Sequence, residues 1–115
     1  MRKANYKGKC KKQSFTKCRE VCKTYDDIQA AYAERLEQWE DIFEFSCNVL
    51  LTGLDIGSYT SDFVCKKIND ELMVRECVFR KHITKPMTVK LLDASRDYWF
   101  SRGVTDWGIV VDAEK

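Results

Sequence analysis

Two strand-like runs joined by a short polar turn constrain the fold of this chain of 115 residues more than any other feature. The runs are "SYTSDFVCKK" and "ELMVRECVF", separated by "IND", and both contain the β-branched and aromatic residues that favour strands. One acid interrupts each run, Asp62 in the first and Glu76 in the second. Because so short a connection joins antiparallel strands, the position of each acid relative to the other decides what the hairpin can do.

The alternation of side chains along a strand relates the two acids. Glu76 shares one side of its strand with an apolar row made of Leu72, Val74 and Val78. A carboxylate in such a row is costly unless another group compensates its charge. A turn with an odd number of residues, centred near Asn69, places Asp62 opposite Glu76 on the same face of the sheet.

Two carboxylates placed in this way predict a site for a divalent metal ion. Oxygen atoms are the ligands that Mg²⁺ prefers, and the backbone carbonyl of Cys77 is expected to point to the same place as Asp62 and Glu76. The spacing alone leaves an alternative open. In that alternative Asp62 ends its strand in solvent and Glu76 pairs with a base such as Arg75 or Lys90.

The remaining pattern predicts an α/β domain. The stretch "TYDDIQAAYAERLEQWED" has Thr24 and Asp27 in capping-box spacing before apolar residues at helical intervals, so it predicts a helix. "IFEFSCNVLLTG" adds a strand before the hairpin and gives a three-strand antiparallel meander. A second helix, with Thr84 as its cap, Pro86 in its first turn and Gly103 after its end, precedes a final strand at "DWGIVVD".

The length fits one domain, but the charge is unevenly distributed. Residues 1–23 carry a net charge of +8, whereas the rest of the chain carries −6. We therefore expect 1–23 to be a basic N-terminal arm, irregular apart from a short strand at 19–23, and 24–115 to be the folded domain. Such an arm suits the phosphate backbone of DNA, and a solubilising tail is the alternative. The candidate DNA-binding residues in the arm are Lys9, Lys11 and Lys12.

No apolar run approaches the roughly 20 residues that span a bilayer, and the first residues lack the apolar part of a secretion signal. The expected location is therefore the cytoplasm, without membrane contact. Three of the six cysteines fall in predicted strands, so we expect reduced thiols rather than a disulfide framework. A zinc site remains an alternative, since the Cys-x3-Cys spacing is within the known range for zinc ligands. Its ligands would be Cys10, Cys18, Cys22 and His82.

The order of helix, three-strand meander, helix and strand, with Asp62 on the second strand and Glu76 on the third, resembles the PD-(D/E)XK nuclease core. Within that superfamily, residues 24–111 are similar to the N-terminal catalytic domain of TnsA-type transposon-end endonucleases. "YTSDF" is similar to the "YTPDF" of that family, and "TKPMTVKLLDASRDYWFSRGVTDWGIV" follows its run of Pro, Leu-rich helix, Tyr-Trp, Gly and Asp-Trp-Gly. The implied fold is a restriction-endonuclease-like α/β core.

The resemblance also implies roles for single residues. It makes Asp62 the metal-binding aspartate and Glu76 the acidic position of the third strand. The helix glutamate of the family falls on Gln29 and its lysine falls on Val78, so both positions depart from the pattern. Lys90, on the second helix, is a candidate substitute for the lysine.

The implied activity is hydrolysis of DNA phosphodiester bonds at transposon ends with Mg²⁺ or Mn²⁺. The implied partners are double-stranded DNA, a transposase that cuts the other strand and further transposition proteins, and a homo-oligomer remains open. The basic run "FRKHITK" lies near the predicted site and suits a phosphate clamp, for which the candidates are Arg80, Lys81, His82 and Lys85. Lys81 is a second candidate for the missing lysine. Because of the two departures, a non-catalytic DNA-binding or assembly subunit that keeps the nuclease fold is the alternative.

Overall fold

The structure, a computed structural model, describes residues 1–113 and is a mixed α/β fold. Its two helices pack beside a mostly antiparallel sheet. The strands and helices in chain order are β1 (Arg2–Lys3), β2 (Lys11–Gln13), β3 (Cys22–Thr24), α1 (Asp27–Gln38), β4 (Ile42–Leu51), β5 (Tyr59–Lys67), β6 (Leu72–Val78), α2 (Pro86–Phe100) and β7 (Asp106–Val111).

The predicted three-strand antiparallel meander is confirmed as β4, β5 and β6. The first pair beyond the hairpin turn joins Lys66 to Leu72, so the turn has five residues and is centred on Asn69, as the alternation argument required. The predicted last strand, β7, pairs with β6 in parallel. One edge of the sheet is thus formed by β7, the strand that follows α2 in the chain.

Both helices form where the sequence predicts them, but their caps differ from the prediction. α1 starts after Asp26, whose side chain accepts a hydrogen bond from the Gln29 N–H at 2.8 Å. Thr24, the predicted start, belongs to β3 instead. α2 starts at Pro86 after Lys85, so Thr84 is not its cap. At the start of α1 the cap is therefore Asp26 and not Thr24, although both residue types cap helices well.

The two faces of the sheet carry separate apolar clusters. The cluster beside α1 is made of buried residues that include Tyr32, Leu36, Phe45, Phe63 and Met73. The cluster beside α2 includes Leu51, Val74, Trp99 and Val104. Burial of about 150–250 Å² by each aromatic ring makes these clusters the main stabilising feature of the fold. β5 and β6 are therefore packed against apolar side chains on both faces of the sheet.

Residues 1–23 lie against the domain at several points. β1 pairs with β5, and β2 forms a two-stranded antiparallel sheet with β3. Cys22 of β3 forms a disulfide with Cys47 of β4, so the expectation of reduced thiols is wrong for this pair. The other cysteines in the described part of the chain are free, namely Cys10, Cys18, Cys65 and Cys77.

β5 and β6 form a fork at the end of the hairpin. Their pairing stops at Phe63 and Arg75, after which β6 continues beside β7. β4 occupies the other edge of β5 throughout, so β1 must use the edge that β6 has left. It does so by pairing Arg2 with Thr60. Both acids of the hairpin lie at this fork.

Neither helix within the described residues is long and apolar enough to cross a bilayer.

Candidate active site

Where β5 and β6 separate, the carboxylates of Asp62 and Glu76 accept hydrogen bonds from backbone N–H groups that no longer have a partner in the sheet. The carboxylate of Asp62 accepts from the backbone N–H of Cys77 at 2.7 Å, through Oδ2. The carboxylate of Glu76 accepts from the backbone N–H of Asp62 at 2.8 Å, through Oε1. Buried N–H groups need an acceptor, and beyond the last ladder pair the side chains supply one. This explains in structural terms why acids occupy both strands here.

Both carboxylates also face one cation. The α-amino group of Met1 lies 3.3 Å from Asp62 Oδ2 and 3.4 Å from Glu76 Oε1. Asp62 is 3% exposed and Glu76 is fully buried. Two carboxylate oxygens from neighbouring strands therefore converge on a single positive group. The hairpin register predicted that these two acids face each other, and the divalent metal ion expected between them stays a prediction.

Burial and charge shift the pKa values of the groups at the fork. Burial raises the pKa of Glu76 and the nearby charge of Asp62 adds to the rise, while the Met1 ammonium opposes it. Burial alone would lower the pKa of the Met1 amine, but the charges of Glu76 and Asp62 outweigh it and raise that pKa. The amine thus stays charged because two acids face it.

Two serines and two tryptophans fix the second oxygen of Glu76. Oε2 accepts hydrogen bonds from the hydroxyl of Ser61, at 2.7 Å, and from the hydroxyl of Ser95 on α2. The Trp99 indole N–H donates to Ser61 at 2.9 Å, and that of Trp107 donates to Ser95 at 3.0 Å. None of the two serines and two tryptophans was predicted as a site residue. A serine within the apolar face of α2 was the signal in the sequence.

A cleft of about 290 Å³ opens beside the fork and contains a third acid. Asp26, the residue that caps α1, lines this cleft together with Asp62 and Cys77. Its Oδ2 atom accepts from the guanidinium of Arg2 at 2.6 Å. Burial, together with the negative charges of Asp62, Asp26 and Glu76, raises the pKa of the Cys77 thiol. Sequence reasoning missed Asp26, because it took Thr24 as the start of the helix and gave Asp26 no role.

The side chain of Gln29 makes its hydrogen bonds to groups other than the two acids. It is fully buried, and its Oε1 atom accepts from the Tyr25 N–H at 2.9 Å. Its Nε2 atom donates to Oδ1 of Asn48 at 3.0 Å, and Asn48 in turn donates to the Lys23 carbonyl at 2.7 Å. Both polar ends of Gln29 are therefore engaged in joining α1 to β4 and β3.

The lysines proposed as substitutes lie in solvent. Lys90 is exposed on α2 and is not among the residues that line the cleft, whereas Val78 is. Lys81 is exposed, with its ammonium 5.6 Å from the centre of the Phe79 ring. The positive groups at the fork are those of Met1 and Arg2 instead. The backbone N–H of Cys77 is engaged with Asp62, and the metal-binding role expected for its carbonyl stays a prediction.

The candidate DNA-binding residues are distributed around the domain. The side chain and backbone N–H of Arg80 bond to Asp112, at 2.8 and 2.6 Å. The candidate lysines are all exposed, namely Lys9, Lys11, Lys12, Lys81 and Lys85. His82 lines the cleft, between these bases and the acids. The ammonium groups of these lysines are accessible to a phosphate backbone.

The zinc alternative does not fit the structure, because Cys22 is bonded to Cys47 and is not a free ligand. Within residues 1–113 no group of three or more His, Cys, Asp and Glu side chains has the geometry of a metal site.

Scanning the chain against models of protein families gives no match, and a search of curated proteins gives none either.

Proposed function

We propose that the chain is a TnsA-type endonuclease subunit that acts in the cytoplasm and hydrolyses DNA phosphodiester bonds at transposon ends. The proposed fold is the restriction-endonuclease-like α/β core. One observation carries this proposal, which is the convergence of Asp62 Oδ2 and Glu76 Oε1 on the same cation. Carboxylate oxygens from two strands that separate at this point are suited to bind a divalent metal ion.

The donor set at the fork fits Mg²⁺ or Mn²⁺. Two carboxylate oxygens lie 3.3 and 3.4 Å from the Met1 ammonium, so both can contact one cation. A third acid, Asp26, lines the cleft and adds negative charge. Asp62 and Glu76 would hold the ion, together with the backbone carbonyl of Cys77, a ligand predicted from the sequence. When bound, such an ion neutralises charge that develops on a phosphate and lowers the pKa of a water molecule.

The residues around the two acids would position their carboxylates for the reaction. The Cys77 N–H orients the carboxylate of Asp62, and the hydroxyls of Ser61 and Ser95 orient that of Glu76. Fixed donors of this kind keep a reactive geometry without reorganisation. The cleft gives the DNA backbone access to Asp62 and Asp26, with His82 at its wall.

The proposed partners are double-stranded DNA, a transposase that cuts the other strand and other transposition proteins. Support for DNA binding comes from the net charge of +8 in residues 1–23 and from the exposure of the lysines there. Phosphate contacts by such lysines give affinity without sequence specificity. Selection of transposon ends is therefore assigned to the partner proteins.

A plasmid-nicking assay with Mg²⁺ or Mn²⁺, in the presence of the transposase, tests the activity. Asp62→Asn should abolish nicking because it removes a charge from the cation site. Asp55→Asn, the same change at an exposed turn position, is the matched control and should cut like the wild type. Nicking by Asp62→Asn at the wild-type rate would refute the proposed active site.

A second candidate function has support of its own. Val78 stands where the family has lysine, and the Met1 ammonium fills the space between the two acids. A non-catalytic DNA-binding or assembly subunit would keep the acids only as acceptors for the backbone at the fork. In that case Mn²⁺ would not bind to the wild type, whereas DNA binding would be unchanged in Asp62→Asn.

A further inference from the structure

The strand β1 occupies the place that β6 leaves at the fork. β4 covers one edge of β5 along its whole length, and β6 covers the other edge only as far as Phe63. On that second edge β1 then pairs Arg2 with Thr60 and Lys3 with Tyr59. The segment Met1–Lys3 is therefore inserted between the separated ends of two strands, directly over the candidate active site.

This segment brings positive charge to every acid of the cleft. Its amino group faces Asp62 and Glu76, and the guanidinium of Arg2 binds Asp26 at 2.6 Å. The guanidinium also lies 5.3 and 5.0 Å from the ring centres of Tyr6 and Tyr25. One short segment thus places positive charge against the two carboxylates that would hold a metal ion and against the neighbouring Asp26.

The backbone attachment of the segment is slight compared with its charge contacts. Two residue pairs join β1 to β5. Two further hydrogen bonds run from the Ala4 N–H to the Ser58 carbonyl at 2.9 Å and from the Thr60 hydroxyl to the Arg2 carbonyl at 3.4 Å. Lys3 is exposed, and β4, β5 and β6 pair with one another without it. Release of the segment therefore breaks no pairing among β4, β5 and β6, but it uncovers the Met1 side chain, which packs against the apolar cluster beside α2.

We propose that Met1–Lys3 is an autoinhibitory segment that occupies the cation positions of the cleft and leaves when a divalent metal ion binds with the DNA backbone. The inference rests on the proposed function, since it assigns regulation to that same site. Because the segment and the metal ion compete for the same carboxylates, each lowers the apparent affinity of the other by an equal factor.

Binding of Mn²⁺ to the full chain, followed by electron paramagnetic resonance of the free ion, tests the competition. Arg2→Met removes the ion pair with Asp26 and should tighten Mn²⁺ binding roughly tenfold, a change of about 1.4 kcal/mol. Lys3→Met is the matched control, because it removes one charge from the same strand at an exposed position. It should alter the affinity by less than about twofold.

Hydrogen exchange in the unmodified chain provides a second measurement that does not depend on a variant. Saturating Mg²⁺ should speed exchange of the Ala4 N–H, measured by NMR, because the segment leaves the edge of β5. Equal Mn²⁺ affinity in the wild type and Arg2→Met, with no effect of Mg²⁺ on this exchange, would overturn the autoinhibition and leave the metal site standing.

Failure of the proposed function itself has a different signature. If adding Asp62→Asn to Arg2→Met leaves the Mn²⁺ affinity unchanged, the carboxylate pair is not the metal site, and the autoinhibition falls with it. A decrease in affinity of at least about tenfold in that double variant supports both proposals.

Discussion

The backbone N–H of Asp62 and the Oε1 atom of Glu76 form a hydrogen bond of 2.8 Å at the point where their strands stop pairing. Across the same gap, Asp62 accepts from the residue that follows Glu76 in the chain. The two acids therefore have a structural role as well as the proposed chemical one. Substitutions at the fork must be assessed for stability and for metal binding separately.

Glu76→Gln should remove most of the pH dependence of stability that arises at the fork. Burial raises the pKa of Glu76 above its ordinary value of 4.5, so the folded chain holds this proton more tightly than the unfolded chain. Its contribution to stability is therefore largest at low pH and falls as the pH rises above about 4.5. The measurement is urea unfolding of both proteins from pH 4 to pH 8, with the difference in free energy plotted against pH.

In that experiment the amide introduced by Glu76→Gln keeps an acceptor for the Asp62 N–H and can donate to the serine hydroxyls. Glu71→Gln, the same change at an exposed position, serves as the control and should leave the pH profile of the wild type in place. Parallel profiles for the wild type and Glu76→Gln would contradict the prediction.

Gln29→Glu should destabilise the fold without improving metal binding. The new carboxylate cannot donate to Oδ1 of Asn48, and it would place a charge at a fully buried position. Losing a buried hydrogen bond in this way costs about 1–3 kcal/mol in the free energy of unfolding. Gln38→Glu, at the exposed end of α1, is the matched control and should change stability by only a few tenths of a kcal/mol. Tighter Mn²⁺ binding by Gln29→Glu would instead support the role implied by the resemblance.

Removal of the Cys22–Cys47 disulfide should lower the free energy of unfolding by about 2–4 kcal/mol. The bond closes a loop between residues 25 positions apart, which restricts the unfolded chain, and it anchors β3 to β4. Denaturant unfolding of the double Cys→Ala variant, compared with wild type under oxidising conditions, measures the decrease. Cys10→Ala changes a free cysteine and should remain as sensitive to a reductant as the wild type.

Charge substitutions in residues 1–23 should weaken DNA binding and flatten its salt dependence. For each lysine–phosphate pair that a substitution removes, the slope of log affinity against log salt should fall by about 0.9 on duplex DNA. The variant changes Lys9, Lys11 and Lys12 to Gln, which leaves β1 and the disulfide in place. Arg96→Gln, on the exposed side of α2, is the control. An unchanged slope in the triple variant would mean that these lysines serve only solubility.

The sequence predicted the meander, the register of its hairpin and the following helix and strand, because period-two and helical patterns are local and long enough to detect. It did not reveal the β1 pairing, since Arg2 and Lys3 are too few to show a period and their partner strand lies far along the chain, at Tyr59 and Thr60. The role of Gln29 was also hidden. Its partners, Asn48 and the Tyr25 backbone, come together only in the folded chain.

Asn48 shows how one position can be limited to a single residue type. Its φ of 54° lies in the left-handed region, which Gly, Asn and Asp tolerate best. Gly would adopt this backbone but offers no side-chain atom to Gln29 or to the Lys23 carbonyl. Asp would accept from Gln29 but has no donor for that carbonyl. Conformation and hydrogen bonding therefore select the same amino acid independently, so a screen of all substitutions at this site should recover asparagine alone at full stability.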